Sequence, residues 1–497
     1  MNPILTIPEM IALEEQAFRE GVDPWELMQQ AGREMARAIR QRFPEPGFCR
    51  VFAGRGNNAG DAWVVARLLD QAGWTVSVEC PFAVGKMSLL AQKAVAAWIN
   101  RALSLLPKIS ETSPQSGRHP LVVVDGLLGI GVRGECRSPI REAIVEINRL
   151  RKHGAVVFAL DLPSGLGTDL CVEADHTLTV GFAKDVLLHD SANANVGRIS
   201  VLPLPELAAR KIESSSSGII TSTELRSILP PRPFAFHKGQ AGRVLLIAGS
   251  RGMIGAAVLA ATGVLRGGAG IVRLVCPPEV FPSLTTLAPP EVMVLPWNDL
   301  PDRFFEQTDV LAIGPGLDPS HDAFIWPIIS AARVPLLLDA GGLSILSNHL
   351  PELKTHPSSI LLTPHPGEMK RLFPQENRTR AEWASDFLAI HGSPKTTVLL
   401  KGSRTVIASA SEPITYNSTG HPGMATGGMG DTLTGVCAAL LAQKLTPHQS
   451  ACAGAWVCGR AAEIALELGS ESQESLVASD VSRHLGRAFA DLRAEVF

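Results

Sequence analysis

Short, unbroken apolar runs recur along the chain, and several of them end at an aspartate. Three examples are LVVV before Asp125, AVVFAL before Asp161 and PLLL before Asp339. Longer stretches with helical periodicity, such as AWVVARLLDQAG, lie between these runs. Parallel strands that are buried on both faces have this continuous apolar character. Because strands that alternate with helices form doubly wound sheets, we predict an α/β fold.

A serine run at 214–218, SSSSG, interrupts the alternation, and a second series of strands begins after it with RVLLIA at 243–248. A serine run without periodicity is typical of a linker. The 497 residues also exceed what one hydrophobic core accommodates. We therefore predict a domain at 1–213, a linker at 214–220 and a domain at 221–497. Ligands of open α/β sheets bind at the carboxyl ends of the strands, so two sheets predict two sites.

The charge and cysteine patterns exclude several kinds of partner. The net charge is −3 and no Lys/Arg block stands out, whereas nucleic-acid binding usually requires a concentrated basic face. The eight cysteines contain no CxxC pair, which favours isolated thiols in a reducing compartment. The N-terminus lacks the features of a signal peptide, and no apolar run is long enough for a membrane span. We expect a cytoplasmic homo-oligomer without nucleic-acid or membrane partners.

The run GMATGGMGD in the second half ends at Asp431 and precedes the apolar helix TLTGVCAALLAQ. Glycines let backbone N–H groups converge, and the helix N-terminus adds a positive dipole end. Together they predict a site for phosphate. Asp431 would either cap the helix or take the proton of a hydroxyl that attacks a phosphoryl group. The three glycines before it favour the second role.

Other strand-end loops of the second half offer further ligand contacts. The segment KGSRT at 401–405 presents cations and a hydroxyl to a nucleotide phosphate, or forms an exposed hairpin turn. Two prolines flank His365 after a strand, and this rigid presentation favours ligand contact over a solvated histidine. The loop at 314–316, GPG, is of a kind that admits a ligand close to the backbone.

In this order, the motifs GSxxxxGAAxLA, GPGL, TPHPGE, KGxxT and GMATGGMGD resemble the ribokinase-like NAD(P)H-hydrate dehydratases over 221–497. The resemblance implies ADP as phosphoryl donor, with ATP as the alternative, and Mg²⁺ as counter-ion. It implies substrate contacts from Ala256, Gly316, His365 and Asp431. It implies ADP contacts from Lys401, Gly402, Ser403, Arg404, Thr405 and Gly430. The family's usual DADAL is DAGGL at 339–343, with one carboxylate fewer.

The first half has its own polar strand-end loops. The segment GRGNNAGD at 54–61 lies between a strand and a helix. Asn58, Asp125 and Ser164 can meet at one sheet edge, where three oxygen donors could hold a monovalent or divalent cation. Asp161 ends a buried strand and is a candidate acid/base group, with an Asx-turn as the alternative.

Several segments of the first half resemble the NAD(P)H-hydrate epimerases: EMIALEEQAFREGVDPWELMQQAG, GNNAGDA, VDGLLGIGVRGE, DLPSGL and the region of Lys184. The resemblance implies a K⁺ site at Asn58, Asp125 and Ser164. It implies substrate contacts from Asn57, Asn58, Ala59, Gly60, Asp61, Gly129, Ile130, Gly131, Val132, Arg133, Gly134, Glu135 and Asp161. The usual NNGGDG is NNAGDA here, so Ala59 and Ala62 would strain the loop if either position needed a positive φ.

The two halves together resemble the bifunctional NAD(P)H-hydrate repair enzymes. The resemblance implies two three-layer αβα domains, an N-terminal Rossmann-like one and a C-terminal ribokinase-like one. The first would interconvert the R and S hydrates NADHX and NADPHX, with Asp161 shuttling a proton. The second would dehydrate the S form with ADP, giving AMP and phosphate, because phosphate leaves more readily than hydroxide. Two alternatives stay open: a small-molecule kinase of the ribokinase superfamily, and a first half that only binds or scaffolds.

Overall fold

The computed structural model describes residues 1–104, 121–131, 134–210, 216–468 and 471–495, with the backbone alone for 101–104. The chain divides into two compact units, and the boundary between them falls at residues 215 and 216. None of the helices in the described ranges is long and apolar enough to cross a bilayer. All eight cysteines are free thiols, as expected.

The N-terminal unit is built on a six-stranded parallel sheet with the order β3-β2-β4-β5-β6-β8. Its strands are β1 (Asn2–Leu5), β2 (Phe48–Ala53), β3 (Thr75–Glu79), β4 (Val122–Gly126), β5 (Val156–Leu160), β6 (His176–Val180), β7 (Ala183–Lys184) and β8 (Arg198–Leu202). Its helices are α1 (Ile7–Arg19), α2 (Pro24–Arg42), α3 (Asn57–Gln71), α4 (Leu89–Ser104), α5 (Ile140–Lys152), α6 (Asn193–Val196) and α7 (Pro205–Ala208). The short strands β1 and β7 pair in parallel, with Leu5 opposite Lys184.

Alternating side chains of the buried strands reach opposite helical layers. Val122 and Val124 of β4 pack into one core with residues of α2, α3 and α4. Val123 packs into a second core with Ile144 and Ile147 of α5. Since strand side chains alternate between faces, this continuous valine run accounts for the three-layer arrangement.

The C-terminal unit continues the parallel pattern in the strand order β12-β11-β10-β13-β14-β15-β16, after which β17 and β18 form an antiparallel hairpin and β9 pairs with β18. Its strands are β9 (Ser217–Ile219), β10 (Arg243–Ile247), β11 (Ile271–Cys276), β12 (Met293–Pro296), β13 (Val310–Ile313), β14 (Leu336–Leu338), β15 (Ile360–Leu362), β16 (Thr396–Leu400), β17 (Val406–Ser409) and β18 (Glu412–Tyr416). Its helices are α8 (Ser222–Ile228), α9 (Ile254–Arg266), α10 (Phe281–Leu287), α11 (Asp302–Glu306), α12 (Asp322–Ala331), α13 (Ala340–Leu346), α14 (Leu350–Leu353), α15 (Pro366–Leu372), α16 (Arg380–His391), α17 (Met429–Ala442), α18 (Pro447–Leu468) and α19 (Ala478–Arg493).

This unit also has three layers. Leu337 and Leu361 pack with α9, α17 and α18 on one face, while Leu336, Leu338 and Leu362 pack with α12, α13, α15 and α16 on the other. Two local differences from the sequence expectations stand out. Residues 217–219 of the expected linker form β9, because their backbone pairs with β18. The segment expected as a glycine loop at 54–61 is helical from Asn57 onward.

Candidate functional site

The glycine run of the C-terminal unit ends at the start of α17. Gly428 precedes this helix with φ 90°, and a β-carbon there would lie 2.6 Å from Leu259 Cδ1. The positive φ therefore favours glycine, whereas the close contact involves only the end of a leucine side chain, which can shift. The N-cap residue of α17 is Gly428, which makes no side-chain hydrogen bond, and Asp431 lies in the first turn of the helix. The first N–H groups of a helix lack intrahelical partners, and those of α17 are available to an anion.

Charged side chains converge beside Asp431. Lys401 Nζ lies 2.8 Å from Asp339 Oδ1 and 3.6 Å from Glu368 Oε2. A β-carbon at Gly430 would lie 3.3 Å from the same Nζ, so Lys401 reaches the first turn of α17. Burial raises the pKa of Asp431 to about 6, the charges on Asp339 and Glu368 also raise it, and Lys401 opposes them. A carboxyl group with a pKa near neutrality is suited to exchange a proton.

Asp339 is a member of this cluster that the sequence reasoning did not single out as a site residue. Its side chain is buried, and its Oδ2 accepts a hydrogen bond of 2.8 Å from the Thr434 hydroxyl in α17. The signal was available, because Asp339 ends a buried strand as Asp125 and Asp161 do. The second carboxylate of DADAL has no room here: a β-carbon at Gly341 would lie 2.1 Å from the Leu317 carbonyl oxygen.

His365 caps the helix that follows it. Its Nδ1 accepts hydrogen bonds from the backbone N–H groups of Gly367 (3.0 Å) and Glu368 (3.2 Å), and Glu368 Oε2 accepts one from the N–H of His365. The imidazole is 51% exposed, so its outer edge remains open to a ligand. The sequence interpretation missed the capping role, because a histidine is an unusual N-cap.

The remaining expected contacts of this unit are distributed over the same sheet edge. A β-carbon at Gly316, which has φ 62°, would lie 2.9 Å from the Ala256 Cβ, so these two positions adjoin. In the segment KGSRT, Gly402 and Ser403 are exposed, whereas Arg404 and Thr405 are buried. Only some residues of this segment are therefore exposed to solvent.

In the N-terminal unit, Asn57 to Asp61 form the first turns of α3 rather than a loop. Ala59 and Ala62 lie within this helix, are fully buried, and have no positive φ. The hypothesis of backbone strain at these two alanines is therefore wrong. The Ala62 side chain fills space that Gly126 leaves free, since a β-carbon at Gly126 would lie 2.4 Å from it.

The three expected cation ligands meet at the ends of β4 and β5. Asp125 Oδ1 accepts a hydrogen bond from the Ser164 hydroxyl (2.6 Å), and Asp125 Oδ2 accepts one from the Ser164 N–H (2.8 Å). Asn58 Nδ2 donates to the Leu128 carbonyl (2.7 Å). Asn58 Oδ1 is buried without a partner among the described residues. Burial raises the pKa of Asp125 to about 6.

Asp161 lies after β5 with φ 65°, a conformation that non-glycine residues seldom adopt. Its Oδ1 accepts hydrogen bonds from Lys184 Nζ and from the Thr179 hydroxyl. Lys184 is 1% exposed, so the pair is a buried salt bridge at the base of the site. A strained acidic residue paired with a buried lysine is typical of a functional site.

Only part of the loop after β4 lies beside the expected cation ligands. A β-carbon at Gly129 would lie 3.3 Å from Asn58 Cβ, which places the start of the loop beside the expected cation ligands. Ile130 is partly buried, while Gly131, Gly134 and Glu135 are exposed. The two remaining expected contacts, Val132 and Arg133, lie outside the described residues.

Two protein families match the chain. The family described as NAD(P)H-hydrate dehydratase matches residues 244–483, and the one described as YjeF-related protein N-terminus matches residues 25–186. The bifunctional NAD(P)H-hydrate repair enzyme of Moorella thermoacetica is 32% identical over 531 aligned positions, which cover 99% of this chain and 98% of that protein.

Two solved structures resemble the C-terminal part. A ribokinase-like superfamily protein from Enterococcus faecalis has a TM-score of 0.50 and 28% identity, and the match covers 57% of this chain and 99% of that one. The ADP/ATP-dependent NAD(P)H-hydrate dehydratase of Bacillus subtilis, co-crystallised with ATP and Mg²⁺, has a TM-score of 0.48 and 31% identity, covering 55% of this chain and 97% of that one.

Proposed function

The chain belongs to the family of bifunctional NAD(P)H-hydrate repair enzymes, and we propose that Asp431 and Asp161 handle the protons of its two reactions. It is an enzyme that repairs hydrated NADH and NADPH through an epimerase half and a dehydratase half. The family, the α/β fold and the two activities that the motifs predicted are confirmed. Neither a plain small-molecule kinase nor a purely binding first half accounts for both matched families.

The position of Asp431 carries the dehydratase proposal. It lies in an uncapped first helical turn beside Lys401, and its pKa of about 6 lets it take a proton near neutrality. Asp431 removes the proton of the C6 hydroxyl in the S hydrate, and that oxygen attacks the terminal phosphorus of ADP, releasing AMP. The N–H groups of 427–430 stabilise the transferring charge. Phosphate then leaves C6 with the bonding electrons, pushed by the ring nitrogen, and loss of the C5 proton restores NAD(P)H.

A nucleotide is the co-substrate of this half, and we propose ADP as the preferred donor. Lys401, Gly402, Ser403, Arg404, Thr405 and Gly430 are the proposed ADP contacts. Ala256, Gly316 and His365 are the proposed contacts to the hydrate. The support for this division is that Lys401 reaches Gly430, while Ala256 adjoins Gly316 at the neighbouring helix start.

The site also fits Mg²⁺. Asp339 and Glu368 turn carboxylate oxygens toward one lysine ammonium, and carboxylate oxygens are the ligands that Mg²⁺ prefers. No group of three or more His, Cys, Asp or Glu side chains within the described ranges could hold a metal ion alone. Asp339 and Glu368 would therefore hold Mg²⁺ together with the phosphates of the donor, where it supplies positive charge for phosphoryl transfer.

For the N-terminal half, we propose that Asp161 exchanges the proton that moves while the R and S hydrates interconvert. The residues of 57–61 and 129–135 named above are its proposed substrate contacts. Asn58, Asp125 and Ser164 fit K⁺: the orphaned Asn58 Oδ1 and the buried Asp125 carboxylate are oxygen donors that a cation would satisfy. The domain limits 1–213, 214–220 and 221–497, the cytoplasmic location and the homo-oligomer stay predictions.

One experiment tests both activities. The purified protein is given a mixture of R and S hydrates with ADP, with ATP or with neither, and NADH absorbance is followed. Complete recovery of NADH with ADP is expected. Recovery of only the S fraction, beyond spontaneous epimerisation, would mean that the first half is inactive. Absence of recovery with either nucleotide would overturn the dehydratase proposal.

A further inference from the structure

The chain enters the glycine run through the segment 417–424, and this segment is bound to the side of α18. The Thr419 hydroxyl donates a hydrogen bond of 2.8 Å to the Trp456 carbonyl oxygen of this helix. The two backbones approach so closely that a β-carbon at Gly459 would lie 2.4 Å from Thr419 Oγ1 and 2.8 Å from the Gly420 nitrogen. The missing side chain of Gly459 therefore permits the segment to lie directly on α18.

A buried glutamate of α18 completes this attachment. Glu463 follows Gly459 by one helical turn and thus lies on the same face of the helix. Its Oε1 accepts a hydrogen bond of 2.9 Å from the backbone N–H of Gly420, and its Oε2 accepts one of 3.0 Å from Arg460 Nη1. One oxygen of this carboxylate therefore holds the segment 417–424, and the other holds the guanidinium.

Arg460 connects the same carboxylate to α19. Its guanidinium is buried, and it also donates hydrogen bonds of 2.9 Å to Glu467 Oε1 in α18 and to Asp491 Oδ2 in α19. The second oxygen of Glu467 accepts from the same guanidinium at 3.3 Å. Since buried charges are stable only when they are paired, the three carboxylates fix the guanidinium and hold α18 against α19.

The far end of the glycine run is supported by α19. A β-carbon at Gly428 would lie 3.1 Å from the Cβ of Ala478, in the first turn of that helix. Farther along, the hydroxyl oxygens of Thr432 and Ser482 lie 3.5 Å apart. Residues 425–427, between the two supports, are exposed. Because these residues are not packed into a core, the backbone of the run takes its position from its two ends.

We propose that Glu463, held in place by Arg460, is a positioning residue of the dehydratase. It fixes the segment 417–424, so that the N–H groups of 427–430 point at the transferring phosphoryl group. The inference rests on the role proposed above for these N–H groups and for Asp431. Preorganised donors stabilise a transition state only while they keep their geometry, and a displacement of about 1 Å can cost roughly 100-fold in rate. Because Glu463 acts through the backbone, its loss should lower kcat more than it changes the KM for ADP.

Steady-state NADH formation from the pure S hydrate with ADP tests this role in the full-length enzyme. Glu463→Met removes the acceptor but keeps the length of the side chain, and it should lower kcat roughly 10- to 100-fold while the KM for ADP changes by less than about threefold. Glu463→Gln keeps an oxygen that can accept from the Gly420 N–H, and it should retain kcat within about threefold of the wild type. Glu467→Met is the matched control. It also removes a carboxylate from Arg460 and should lower Tm, but kcat should stay unchanged.

A wild-type kcat in folded Glu463→Met overturns the inference, and so does an equal loss of kcat in Glu467→Met or in Glu463→Gln. A merely structural role would lower Tm without this difference in kcat between the variants. If circular dichroism shows that Glu463→Met is unfolded, Gly459→Ala decides, because its β-carbon would displace the segment 417–424 and should lower kcat; an unchanged kcat refutes the inference. Gly486→Ala in α19, where a β-carbon has no neighbour within 4 Å, is the control for this variant.

Asp431→Asn separates the inference from the proposed function. If this variant keeps near-normal turnover, the role of Asp431 fails, and the site that Glu463 is inferred to position fails with it. If Asp431→Asn is inactive while Glu463→Met keeps the full kcat, only the role of Glu463 fails. If both variants lose kcat while Glu467→Met does not, both roles are supported.

Discussion

Replacing Asp431 by asparagine should inactivate the dehydratase and stabilise the protein at the same time. The pKa of Asp431 is raised from 3.8 to about 6, mainly by burial. The folded state therefore holds this proton more tightly than the unfolded chain does, and ionising the group at higher pH costs stability. The full difference corresponds to about 3 kcal/mol above both pKa values, and partial exposure reduces it to about 1 to 2 kcal/mol.

The stability gain has a defined pH dependence. The destabilisation that Asp431 causes is absent below its unfolded pKa, 3.8, and is complete above its folded pKa, about 6. Asp431→Asn should therefore raise the apparent Tm of the full chain by about 2 to 4 °C at pH 8, and by much less near pH 4. Asp302→Asn, at an exposed position in the first turn of α11, is the matched control and should leave both Tm and activity unchanged.

The same variant should lower kcat for the S hydrate by roughly 10² to 10⁴, or about 3 to 5 kcal/mol of barrier, because a general base is lost while the shape of the side chain is kept. NADH formation from the pure S hydrate with ADP measures this. Near-normal turnover would refute the base assignment. A variant that is less stable than the wild type at pH 8 would refute the electrostatic reasoning, whatever its activity.

Three further outcomes are expected. Lys401→Met removes the cation that opposes the rise in the pKa of Asp431, so the acidic limb of the kcat/KM profile for dehydration should move to higher pH. Gly428→Ala should destabilise the chain by about 2 kcal/mol or more in thermal unfolding, because φ is 90° and a β-carbon meets a leucine side chain. Gly427→Ala is the control: a β-carbon at Gly427 would have no neighbour within 4 Å, so this variant should leave Tm nearly unchanged. If K⁺ occupies the site at Asp125, replacing K⁺ by Li⁺ should slow epimerisation by the wild type, and the Asp125→Asn variant should not show this cation dependence. Dehydration of the S hydrate is the control and should be affected neither by the cation nor by the substitution.

Strands and helix starts could be predicted from the sequence where a single segment carries a characteristic pattern. The valine run before Asp125 could be assigned to a buried parallel strand because both faces of such a strand meet helices. The same logic placed Asp161 and Asp339 at sheet edges. The GMATGGMGD motif predicted the helix start at which Gly428 has its positive φ.

Contacts between distant segments could not be predicted in this way. Nothing in the sequence near Lys401 indicates that its ammonium contacts Asp339, which lies 62 residues away. The expectation of strain at Ala59 failed because it assumed a loop, whereas buried helix packing extends α3 back to Asn57. The capping role of His365 was missed because it depends on the path of the backbone after the strand, which local composition does not specify.

Both sites combine the same three groups although the two halves match different families. In each, a lysine pairs with an aspartate that follows a parallel strand, and a second carboxyl group with a raised pKa lies nearby. The two sets are Lys184, Asp161 and Glu14 in the N-terminal unit, and Lys401, Asp339 and Asp431 in the C-terminal unit. Burying the lysine is tolerable only with its partner in place, so the pair fixes one negative charge at the site. Since a fixed like charge and burial both disfavour ionisation, the pKa of the second carboxyl group is raised in both units, and in the C-terminal unit this lets Asp431 exchange protons near neutral pH. In the C-terminal unit, keeping a buried carboxyl group at Asp431 costs stability. Asparagine at this position would remove that cost, but the enzyme would lose its dehydratase activity.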